Sequence, residues 1–67
     1  MFVIFVVWDS GSEGYYVRGE SFSTSQDLRN AAKYPTLTTA QAKAEFLMRE
    51  YSCCEYAEAV EIDDDIF

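Results

Sequence analysis

The chain contains no histidine. That absence removes the Ser–His and Cys–His pairs of nucleophilic catalysis and the commonest transition-metal ligand. Cysteine is confined to Cys53 and Cys54, neighbours in sequence. Without a second, spaced pair they do not make a tetrahedral zinc site. A bond between adjacent cysteines closes a strained ring and crosslinks nothing distant. The pair therefore reads as two free thiols, which points to a reducing cytoplasm. Glycine occurs only as Gly11, Gly14 and Gly19, a spacing that matches neither a dinucleotide fingerprint nor a P-loop. No base follows Arg49. Asp63-Asp64-Asp65 lacks the alternating carboxylates, turn glycine and distal Glu of a calcium loop. With no catalytic, cofactor or metal constellation in view, the chain is read as non-enzymatic, binding neither cofactor nor metal.

What is present begins with Met1-Phe2-Val3-Ile4-Phe5-Val6-Val7-Trp8, a run without a polar side chain. It falls well short of the roughly 20 residues of a membrane span. It lacks a basic leader and is ended by Asp9, so neither a secretory signal nor a membrane association is expected. β-Branched and aromatic residues favour a strand. Because the run is apolar on both faces, a central strand covered on both sides is expected. With 67 residues there is room for one domain, 1–67. A domain of that size buries only about 60% of its unfolded surface, so a partner or a second copy is a reasonable addition. The hydrophobic fraction of 49% argues against disorder.

Asp9 to Gly14 is turn-rich, with two glycines able to take positive φ. Tyr15-Tyr16-Val17-Arg18 then returns as a second strand of a hairpin. Between Glu20 and Leu37 a short helix is expected from about Ser25 to Lys33, with Thr24 and Asp27 resembling a capping box. It is stopped at Tyr34-Pro35. Phe22, Leu28 and Tyr34 suggest that this segment folds back over the sheet. The main helix is expected to start at a Thr38 or Thr39 cap and run to Tyr51. Ala40, Ala44, Leu47, Met48 and Tyr51 form its sheet-facing stripe. Phe46 lies opposite, either covered by the middle segment or exposed. A third strand is expected from about Tyr56 to Asp63. It places Val60 and Ile62 with Tyr56, and Ala57, Ala59, Glu61 and Asp63 on the other face. The fold class is α+β, in the order β-β-α-β. The expected sheet is three-stranded and antiparallel, in spatial order 2-1-3, with the main helix on one face.

Charge is distributed unevenly. The net charge is −7, from 12 acids and 5 bases. Up to residue 49 five acids face five bases. Glu50, Glu55, Glu58, Glu61, Asp63, Asp64 and Asp65 then follow with no base. Such an end argues against direct nucleic-acid binding, which needs a basic face. Residues two apart on a strand lie about 6.6 Å apart on one face. Glu61, Asp63 and Asp65 would thus imitate successive phosphates, with Glu50, Glu55 and Glu58 widening the patch and Asp64 counted among the partner-binding residues. The expected partner is a basic protein that binds nucleic acid. Tyr15, Tyr16, Tyr56 and Phe46 are candidate apolar anchors, with core or rim packing as the other role open to each. For the acids the other role is a solvated edge kept soluble by charge.

Phe2-Val3-Ile4 opening a strand, Gly14-Tyr15-Tyr16 returning it, Asp27-Leu28 with Ala31 and Tyr34, Ala40 in a helix and Ala59-Val60-Glu61-Ile62 closing an acidic strand resemble small phage-encoded proteins. Among such proteins are anti-CRISPR and other anti-defence inhibitors, and inhibitors of host polymerase. The resemblance implies stoichiometric blocking of a host nucleic-acid machine, without catalysis, and carries over no individual functional residue. The competing expectation is a structural module that forms a homodimer through the open face of its sheet.

Overall fold

The computed structural model describes residues 1–18 and 23–62. The apolar run forms β1, Phe2–Trp8. It turns through Asp9–Ser12, where Trp8 N donates to Ser12 O at 2.7 Å and Gly11 takes a φ of 94°, a conformation that favours glycine. The chain returns as β2, Glu13–Val17. Gly14 therefore lies inside the strand rather than in the turn, opposite Val6. A short strand, β3, Ser23–Ser25, adds to the far side of β2. The main helix α1, Leu37–Glu50, leads into β4, Cys54–Glu61. β1 pairs antiparallel with both β2 and β4, and the four strands run in the order β3-β2-β1-β4. The expected three-stranded arrangement forms the body of the sheet, and β3 corrects it to four.

The residues that make β3 were expected to start a helix. Three features of the structure favour the strand. Tyr15, Tyr16 and Val17 offer a ladder to Ser25, Thr24 and Ser23. Trp8 Nε1 donates to Thr24 Oγ1 at 3.0 Å. Gly14 allows close approach, since a Cβ there would lie 3.1 Å from Thr24. What remains of the helix is one 3₁₀ turn, Leu28–Asn30. Asp27, not Thr24, caps it, its Oδ1 accepting from Arg29 N at 2.9 Å. Lys33 Nζ closes the turn on the carbonyls of Leu28, Arg29 and Ala31. The chain then docks beside β1, with Phe2 and Tyr34 exchanging both backbone hydrogen bonds.

α1 starts two to three residues earlier than expected. Thr36 is its cap, accepting from Thr39 N at 3.2 Å. Thr38 and Thr39 fall inside the first turn. The expected stripe faces the sheet: Ala40, Ala44 and Leu47 are fully buried, and Met48 and Tyr51 pack around them. On the sheet side they meet Ile4, Val6, Tyr16, Cys54 and Ala57. The small alanines bring the helix close to the sheet, and Leu47 fills the space that remains. Ala32 and Tyr34 join the same cluster, with Phe2 and Trp8 at its margin. The middle segment thus completes the helix-side core. Tyr34 gives no cover to the opposite face, Leu28 is half-buried, and Phe22 lies outside the described residues.

Candidate functional site: the helix-distal face of the sheet

Strand alternation divides β1 into two sets. Phe2, Ile4, Val6 and Trp8 face the helix; Val3, Phe5 and Val7 face away. Registers extend this division across the sheet. On the distal face Glu58, Phe5, Tyr15 and Ser25 form one row from β4 to β3, and Tyr56, Val7 and Glu13 the next. Val60 and Val3 make a third. None of these residues belongs to the buried cluster or to the partly buried set packed on it. Val3 is fully covered. Phe5, Val7, Tyr15 and Val60 are half-buried, and Tyr56 is 47% exposed.

Local contacts hold this face in shape. The rings of Phe5 and Tyr15 meet edge to face at 5.8 Å. The Tyr56 hydroxyl donates to Glu58 Oε2 at 3.2 Å. That bond, together with the negative charge of Glu58, raises the Tyr56 pKa above its ordinary value. A register shift between Val7 and Trp8 puts Cys54 opposite Trp8 and leaves Glu55 as the extra residue of a bulge. The shift turns Cys54 inward, where burial foremost raises its thiol pKa. Both cysteines are free, and Cys53 is half-buried.

The sequence-derived site residues divide between these surroundings. Tyr15, Tyr56 and Glu58 come together on the distal face. Glu61 is exposed but pairs with Phe2 and so belongs to the other side of β4. Glu55 is exposed at the bulge. Tyr16, 6% exposed, is part of the core and cannot act as a surface anchor. Phe46 is half-buried on the helix side, with Lys43 Nζ 4.6 Å and the Arg49 guanidinium 5.9 Å from its ring. Asp63, Asp64 and Asp65 lie outside the described residues. Strand alternation separates Val3, Phe5 and Val7 from Phe2, Ile4, Val6 and Trp8 without saying which set stays open, and sequence reading missed Glu13 as the second carboxylate of this surface. The register that unites them is not local in sequence.

Every base of the chain has a partner; Lys33, between the helix-facing Ala32 and Tyr34, turns to the distal side at the Val3 end of the sheet. Arg18 lies over the Tyr34 ring at 5.6 Å. Arg29 is paired with Asp27 at 2.9 Å. Lys33 holds three carbonyls. Lys43 sits over Tyr16 and Phe46, and Arg49 over Phe46. Among the described residues no strand contains a base. The open cleft bordered by Gln26, Asp27, Leu28 and Arg29 already uses its acid on Arg29. Among the described residues, no three Cys, Asp or Glu side chains gather as metal ligands, and no helix is long and apolar enough to cross a membrane. No family model, curated protein or solved structure matches the chain.

Proposed function

We propose that this chain is a non-catalytic inhibitor that binds a basic host protein and blocks a nucleic-acid machine, such as a CRISPR effector or a polymerase. In this reading it is phage-encoded and acts in the host cytoplasm, through an acidic surface that partly imitates nucleic acid. One observation carries it. Glu55, Glu58 and Glu61 are exposed along β4, and none is paired with any of the five bases, all of which have other partners. Carboxylates without a basic partner on an edge strand attract cations and steer a basic protein, with salt-sensitive association. Asp63, Asp64 and Asp65 would extend the same charge.

The test is affinity capture from host lysate, identification of the bound protein, and competition with its nucleic acid. A nucleic-acid-binding protein that is released by its own substrate supports the reading. A partner that binds no nucleic acid overturns it. Neutralising Glu58, Glu61, Asp63 and Asp65 together should weaken binding and flatten its salt dependence; unchanged binding removes the mimicry. A second reading, a module that dimerises through the open sheet face, draws on the half-buried row of Phe5, Val7 and Tyr15. Sedimentation separates the two, since a concentration-independent monomer excludes the obligate dimer.

A further inference from the structure

We infer that the helix-distal face of the sheet is the docking surface, and that its occupant is a foreign protein surface with an apolar centre flanked by two cations. This inference rests on the protein-binding reading above and names the part of the molecule that makes the contact. Phe5, Val7 and Tyr15 form a continuous apolar centre, joined at the β4 edge by Tyr56. Among the described residues, the paired strand positions of this face carry two charged residues, Glu58 on β4 and Glu13 on β2, and both are acids. They stand diagonally on either side of the apolar centre. Two strand spacings across and one two-residue step along the strand put their backbones about 12 Å apart. The aromatic centre supplies the apolar contact that charge alone lacks, and the two carboxylates set register and orientation.

The same charges argue against a second copy as the occupant. A face-to-face dimer would bring Glu13 and Glu58 of both copies into one interface; among the described residues the strands hold no base to answer them, and Lys33, at the Val3 end, is already engaged with three carbonyls. Like charges removed from water oppose association. A basic partner meets the opposite situation, since each carboxylate gains a counter-charge.

Two designed helical peptides test this on the isotope-labelled full chain. The first carries leucines between two lysines eight residues apart, about 12 Å along a helix. The second has the same charge, with serines replacing the leucines. We expect the leucine peptide to shift the amide signals of Phe5, Val7, Tyr15, Tyr56 and Glu58 saturably, and the serine peptide to bind at least ten-fold more weakly. Equal binding of both peptides overturns the inference, because the contact is then electrostatic only. Shifts centred on Lys43 and Phe46, or a dimer by sedimentation at neutral pH, overturn it as well. The peptide experiment contains no host protein, so it stands apart from the test of the target class. A captured nucleic-acid-binding protein that still binds the Tyr15→Ser/Val7→Thr double variant, shown to be folded by its melting curve, removes the face and leaves the function. Peptide binding at the face, combined with a captured partner of another class, does the reverse.

Discussion

The two faces of β1 are almost equally apolar and have different fates. Ile4 and Val6 are fully buried against Ala40, Ala44 and Leu47; on the other side Val3 is fully covered as well, while Phe5 and Val7 remain half-buried. Residue hydrophobicity therefore does not tell which side of a strand becomes core. The decision lies with what the rest of the chain can bring to it. One helix covers one face, and the middle segment, through Ala32 and Tyr34, joins that same side. The face left over is edged by acids on both sides of its apolar centre. An exposed apolar patch with charge of one sign is suited to a partner of the opposite sign.

The largest expected contrast is between core and distal substitutions. Leu47→Ala should cost about 3 kcal/mol, because it removes a fully buried side chain beneath a close-packed helix. Tyr15→Ala should cost about 1 kcal/mol, mainly the edge-to-face contact with Phe5. Urea midpoints at constant m-value measure both; equal losses would show that the distal face is core after all. Gly14→Ala tests the attachment of β3, since the new methyl would stand 3.1 Å from Thr24 and 3.2 Å from the Ser25 carbonyl. A loss of about 1 kcal/mol is expected, with a change in Trp8 fluorescence as its bond to Thr24 loosens. Thr36→Ala should cost a similar amount, about 1 kcal/mol, with no change at Trp8, and so separates helix capping from sheet-edge effects.

Titrations provide the smallest effects. Glu58→Gln should bring the Tyr56 hydroxyl back down toward its ordinary pKa of 10.0, read from tyrosinate absorbance. No shift would mean that the pair on the distal face does not form in solution. Asp27 has its pKa lowered, chiefly by the hydrogen bond from the Arg29 side chain. Its contribution to stability is complete above the unfolded-state pKa and is lost as pH falls through the lowered folded value. The pair is solvent-exposed, so Asp27→Asn should flatten the acid limb of melting temperature against pH only slightly.

Much of the framework was legible in the chain itself. The run from Phe2 to Trp8, the hairpin return at Tyr15, and the alanine–leucine stripe from Ala40 to Leu47 are periodic patterns that report local backbone geometry directly. The legible part of the candidate site was its charge asymmetry and the alternation that puts Tyr56 apart from Ala57 and Glu61. The segment from Ser23 to Lys33 misled, because Ser, Thr and Asp serve both helix caps and strand edges. Only the proximity of Tyr15, Tyr16 and Val17 selects between them. Tyr16 misled for a related reason: its neighbour Tyr15 has the same composition and sequence context, and the strand register alone decides which tyrosine turns inward.

The amino-acid sequence by itself determined the strand and helix identities, the helix's apolar stripe, and the concentration of carboxylates near β4. Those properties are set by side chains within a few residues of one another. The tertiary structure decided that β3 exists, that Ala32 and Tyr34 serve the helix side, and that Phe5, Val7, Tyr15, Tyr56, Glu13 and Glu58 share one surface. Pairing registers between distant segments make those choices. A slip of one residue would move every side chain of a strand to the opposite face.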